Sequence, residues 1–147
     1  MSYPLFLTLH LFAALVFVGT VFFEMLFLES IRKQLPAKVM VLLEQGISRR
    51  ARQLMPWVLL VLFGAGVAMV WLRYWPVLIS PLQSSFGLLL GLKILLAGSV
   101  LGHFLWAMWL FRRGRMDARH VQVIHTRVFV HLLAIVLLAK AMFYVTW

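Results

Sequence analysis

Four long apolar runs decide what this chain can fold into. They extend roughly over Pro4–Leu28, Met55–Trp75, Phe86–Phe111 and Val128–Trp147. Each is close to the ~20 residues that a helix needs to cross a bilayer core of about 30 Å. Inside hydrocarbon the backbone must satisfy its own hydrogen bonds, so runs of this kind are expected to be helices. The sequence therefore predicts an all-α integral membrane protein, a single four-helix transmembrane bundle over residues 1–147. A water-soluble domain of 147 residues could not cover the apolar surface of a chain that is 64% hydrophobic and 12% charged. Cysteine is absent, which excludes disulfides, thiolate metal sites, iron–sulfur clusters and covalent haem attachment.

The charges are gathered in the connections. Arg32, Lys33, Lys38, Arg49, Arg50 and Arg52 lie between the first and second runs, and Arg112, Arg113, Arg115, Arg119 and Arg127 between the third and fourth. The connection from Pro76 to Ser85 carries no charge. The net charge of +10 thus reads as a topology signal and not as a nucleic-acid footprint. Both basic loops are expected in the cytoplasm, against anionic lipids, with both termini on the outer, periplasmic side of a bacterial-type inner membrane. The N-terminus lacks the basic region of a signal peptide, so the first run is read as a retained helix.

The first basic loop contains "LPAKVMVLLEQGI", with a proline suited to starting a helix and a glycine suited to ending one. Its apolar residues predict a short amphipathic cytoplasmic helix between transmembrane helices 1 and 2. Small residues recur as Gly87, Gly91, Gly98 and Gly102 in the third run and as Gly64, Ala65, Gly66 and Ala68 in the second. Such spacing allows close helix approach, within the bundle or in a homodimer, and leaves room for a flat cofactor.

Ionisable residues inside apolar runs are costly and are functional candidates by default. At about 1.5 Å per residue, His10 and Lys93 lie about 10 Å in from the outer side, while Glu24, His103 and His131 lie toward the inner side. At about 100° per residue, His10 and Glu24 share a helix face, and Lys93 and His103 fit one broad face. Lys140 is about 180° from His131 and near enough to the outer end to snorkel, so it is set aside. His120 and His125 belong to the basic loop and are expected to be solvated or to touch headgroups. Glu29 and Arg32 are spaced as an i,i+3 pair.

Imidazoles on facing helices at one depth can hold a haem between them. His103 and His131 fit that description as axial ligands, and His10 is a ligand candidate for an outer site. Without an attachment sequence the haem would be b-type. Lys93 and Arg73 are candidates to face the propionates of an outer haem, and Glu24 to orient a histidine or relay a proton. The same residues permit a bare ion: His103, His131 and Glu24 could hold copper or zinc. The eight methionines are scattered and read as packing.

Three segments carry a family resemblance. "LHLFAALVFVGTVFFE" (Leu9 to Glu24) resembles the first helix of the CopD-like membrane proteins and of the related HemJ-type protoporphyrinogen oxidases, with His10, Ala13, Phe17, Gly19, Phe22 and Phe23 at the matching positions. "RRARQLMPWVLLVLFGAG" is similar to the CopD-type entry to the second helix, and "LKILLAGSVLGHFLW" to the third helix of both groups, with a lysine early and a histidine about three turns later. After Phe23 the chain reads "EMLFLES" and departs from the HemJ type. The resemblance implies a haem b or copper protein in which His10, Lys93 and His103 are the shared positions. The expectation is a b-type haem-binding membrane protein with an electron-transfer role, alone or within an oxidoreductase served by a redox partner. The alternatives are CopD-type copper transport and HemJ-like protoporphyrinogen oxidation.

Overall fold

The computed structural model describes residues 2–146, and the fold among them is helical. Helix α1 (Ser2–Phe23) runs on through a π-helical turn (Glu24–Leu28) into Glu29–Arg32. Helix α2 (Ala37–Met69) follows, then a π-helical segment (Val70–Tyr74) and the short α3 (Trp75–Ile79). Helices α4 (Ser85–Arg112) and α5 (Ala118–Ala141) complete the chain. Four helical runs are long and apolar enough to cross a membrane: Ser2–Arg32, Ala37–Ile79, Ser85–Arg112 and Ala118–Ala141.

The chain divides into two compact units, residues 1–72 and residues 73–147. In the first, α1 packs on α2. Ala13, Phe17 and Val21 are buried at four-residue intervals on α1, and Met55, Leu59, Ala65 and Met69 are buried on α2. At the turn, Arg32 bridges Glu29 (3.2 Å) and Glu44 (2.6 Å). The i,i+3 pair is therefore present, with a second carboxylate from α2 that sequence spacing alone did not suggest.

The separate amphipathic helix is not found. Pro36 does precede the helix start, but Gly46 does not end it, and α2 runs unbroken from Ala37 to Met69 through Pro56. A mid-helix glycine costs only about 1 kcal/mol relative to alanine, which the apolar continuation on either side offsets. The amphipathic segment is the extension of the second apolar helix.

In the second unit α4 packs on α5. Ser84 caps α4 by accepting the Gly87 amide at 3.0 Å, and Asp117 caps α5 by accepting the His120 amide at 2.8 Å. Gly114, at φ 63°, ends α4. The Arg115 amide returns to the Leu110 carbonyl and the Gly114 amide to that of Phe111, both at 3.0 Å. This double closure requires a left-handed residue, which glycine supplies without strain. The fourth long helix begins at Ala118, ten residues before its apolar run, and ends at Ala141, short of Trp147. The polar opening "ARHVQVIHTR" is helical because Asp117 satisfies its first amides and α4 packs alongside.

The glycines of α4 differ from one another in their surroundings. A Cβ on Gly91, Gly98 or Gly102 would meet nothing within 4 Å. One on Gly87 would stand 2.9 Å from the Pro81 carbonyl oxygen, so this glycine admits the preceding turn and not a neighbouring helix. Large apolar side chains face outward on every long helix: Leu15, Trp57, Leu95 and Leu137 are each about 70% exposed.

Candidate functional site

In the second unit the structure brings together two of the histidines singled out by sequence. His103 on α4 and His131 on α5 are half-buried, with ring centroids 5.6 Å apart and planes inclined at 52°. His103 Nδ1 lies 2.8 Å from the Ser99 carbonyl, and His131 Nδ1 lies 2.6 Å from the Arg127 carbonyl. A carbonyl oxygen only accepts, so in each ring Nδ1 donates and Nε2 of the neutral imidazole carries the lone pair. Metal-bound histidines are oriented in this way by a partner on the other ring nitrogen.

Ser99 was not foreseen as a site residue, and it serves both rings. Its carbonyl accepts from His103 Nδ1–H, while its hydroxyl donates to His131 Nε2 across 3.2 Å. The available signal was its position, one turn before His103 on the same helix face. A serine hydroxyl on an imidazole whose far nitrogen is oriented also matches the outline of a nucleophile and its base. The middle of α4 offers that chemistry no oxyanion site, because its backbone amides are used within the helix.

The spacing fits two imidazoles on one metal. With metal–imidazole bonds of about 2.0–2.1 Å, rings on opposite sides of an ion have centroids about 6 Å apart. An ion at His131 Nε2 would have to displace the Ser99 hydroxyl from that nitrogen. A haem requires lateral room as well, and the open positions at Gly98 and Gly102 lie one residue before Ser99 and His103. Among the described residues no group of three or more His, Cys, Asp or Glu is gathered as a metal site.

From this pair a line of rings leads toward the basic loop. Trp106 meets His103 edge to face at 6.5 Å and His120 at 6.1 Å, and His120 Nδ1 is 2.8 Å from Asp117 Oδ1. His120 is thus held by a carboxylate and an indole and is not simply solvated. The Asp117 carboxyl is held below its ordinary range, first by the His120 backbone amide and then by the His120 ring.

The remaining candidates of this unit stand apart from the pair. Lys93 is half-buried on α4, ten residues before His103, and makes no ion pair among the described residues. Arg73 is exposed, with its guanidinium 6.0 Å from the Tyr74 ring centroid. Lys140 is exposed, with its ammonium 5.1 Å from the Tyr144 ring centroid.

In the first unit His10 is also half-buried, and its Nδ1 lies 2.8 Å from the Leu62 carbonyl of α2. Glu24, also half-buried, opens the π-helical turn of the same α1 run. No known protein family, curated protein or solved structure matches the chain. The reading of the site therefore rests on its residues and their geometry.

Proposed function

We propose that the chain is a multi-pass protein of a bacterial-type inner membrane that binds haem b in a redox role, with His103 and His131 as axial ligands. The observation that carries this reading is the shared state of the two rings: Nδ1 is committed to a backbone carbonyl and Nε2 is the basic nitrogen. A haem b so held takes up and releases one electron at its iron. The outward-facing leucines and tryptophans support burial in lipid, since water would meet them on every long helix. The basic loops support a cytoplasmic placement of the α1–α2 and α4–α5 turns, against anionic headgroups, with both termini outside. In the first unit His10 is a further ligand candidate, with Glu24 of the same helical run as a group that orients or relays; in the second unit Lys93 and Arg73 are cations suited to propionates.

The Ser99 contact favours one other reading. Two close imidazoles with the Ser99 hydroxyl as a displaceable partner of His131 Nε2 support, as the alternative, copper binding of the CopD type. The HemJ-like reading shares His10, Lys93 and His103 and would add oxidation of a porphyrinogen.

The spectrum of the purified protein tests these proposals. Expressed with haem supply, it is expected to show a Soret band and a reduced α band of low-spin haem b. Replacement of His103 or His131 by Ala is expected to abolish the low-spin bands. Bands that persist in both variants refute the ligand assignment. A colourless protein carrying stoichiometric copper supports the second reading, and a colourless protein without metal refutes both.

A further inference from the structure

We propose that the Leu62–Gly66 turn of α2 is a seat that fixes the His10 imidazole as its Nδ1–H tautomer, leaving Nε2 as its basic nitrogen, and that Gly66 is the positioning residue of that seat. The His10 ring is anchored by Nδ1, which donates to the Leu62 carbonyl at 2.8 Å. In α-helical geometry that carbonyl also receives the amide four residues on, which belongs to Gly66. The ring therefore lies over the one turn of α2 whose acceptor it shares. A Cβ added to Gly66 would stand 3.3 Å from His10 Cε1 and 3.4 Å from Nδ1. Those are the carbon and nitrogen on the anchored side of the ring. A methyl group there asks the ring to give by a few tenths of an ångström on the side where it is bonded to Leu62.

The neighbouring glycine supplies the contrast. Gly64 lies on the same helix two residues earlier, and a Cβ there would meet nothing within 4 Å. Alanine at either position carries the same gain in helix propensity. Only the one at Gly66 touches His10. The fixed tautomer matters because an imidazole binds a metal or haem iron through its unprotonated nitrogen, and the partner of the other nitrogen decides which one that is. Gly66 then acts on any ligand of His10 without touching it.

The tautomer can be read without any ligand. In detergent-solubilised full-length protein labelled with 15N-histidine, His10 is assigned by its loss in His10→Gln. Wild type is expected to show a protonated Nδ1 and a pyridine-like Nε2. Gly64→Ala is expected to leave both signals in place. Gly66→Ala is expected to give a mixture of tautomers, with the Nδ1 proton exchanging at least tenfold faster. Wild-type His10 protonated on Nε2, or an unchanged spectrum in Gly66→Ala, overturns the proposal. Should Gly66→Ala fold poorly, the double variant with His10→Ala decides: loss of thermal stability that disappears when His10 is absent supports the seat, and loss that persists overturns it.

A second arm rests on the histidine-ligand reading above. With haemin as the probe, Gly66→Ala is expected to lose at least tenfold in any affinity that His10→Ala also weakens. If haemin binds neither wild type nor variant, the outer ligand role of His10 falls while the 15N result still judges the seat.

Discussion

The replacement of Ser99 by Ala isolates one contact of the histidine pair. The backbone carbonyl of residue 99, which orients His103, is kept, and alanine favours the helix. What is lost is the hydroxyl at 3.2 Å from His131 Nε2. A hydrogen bond between neutral, partly buried groups contributes about 1 kcal/mol net. A ligand that takes Nε2 must first displace that hydroxyl, so its removal favours the ligand by about the same amount. At about 1.4 kcal/mol per tenfold, the dissociation constant should fall roughly fivefold. The assay is a titration of the ligand-free protein in detergent with haemin, followed at the Soret band, and in parallel with Cu(I). Ser99→Thr keeps a hydroxyl at this position and is expected to bind as wild type. Adding His131→Ala to both wild type and Ser99→Ala should remove the difference between them, because the competing nitrogen is gone. Unchanged affinity in Ser99→Ala refutes the idea that the hydroxyl guards Nε2. Weaker binding refutes it in the other direction and makes the hydroxyl itself a donor to the ligand.

Two further outcomes test the framework of the second unit. In Gly87→Ala the added methyl meets the Pro81 carbonyl oxygen at 2.9 Å, a backbone atom that cannot yield, so overpacking of about 1–3 kcal/mol should outweigh the ~1 kcal/mol gain in helix propensity. Gly91→Ala, with open space around it, should be neutral or stabilising; thermal unfolding in detergent compares the two, and equal melting temperatures would contradict the contact. The Asp117 cap should make the start of α5 sensitive to acid. Its carboxyl is depressed in the folded state, so its contribution is complete above the ordinary carboxylate range and fades as pH falls through the depressed value. Amide exchange at residues 118–121 should accelerate in that window in wild type and show no such step in Asp117→Ala.

The long helices were legible because their apolar runs exceed a bilayer's width, a signal that needs no partner. The pairing of His103 with His131 was legible from depth alone, since each residue could be counted from the end of its own helix. What failed was local punctuation. Gly46 reads as a helix stop, yet a stop of that kind requires a left-handed residue and a change of direction, and among the described glycines only Gly114 provides them. Gly87, Gly91, Gly98 and Gly102 look alike in sequence, and only the course of Pro81 past Gly87 tells them apart. Ser99 was passed over because serine is common in apolar helices, and its two roles depend on which way α5 turns His131. The Leu62 carbonyl could not be read at all, because every residue has one and only the fold selects which will receive His10.

The unbroken course of α2 has a mechanical consequence. From Glu44, held by Arg32 at the basic turn, to Leu62, under His10, the helix runs 18 residues, or about 27 Å. No loop absorbs motion along that length. Pro56 is its soft point, where the ring cannot donate to the Arg52 carbonyl. One continuous helix, with a single gap in its hydrogen-bond ladder, therefore joins the carboxylate held at the basic turn to the carbonyl that holds the imidazole.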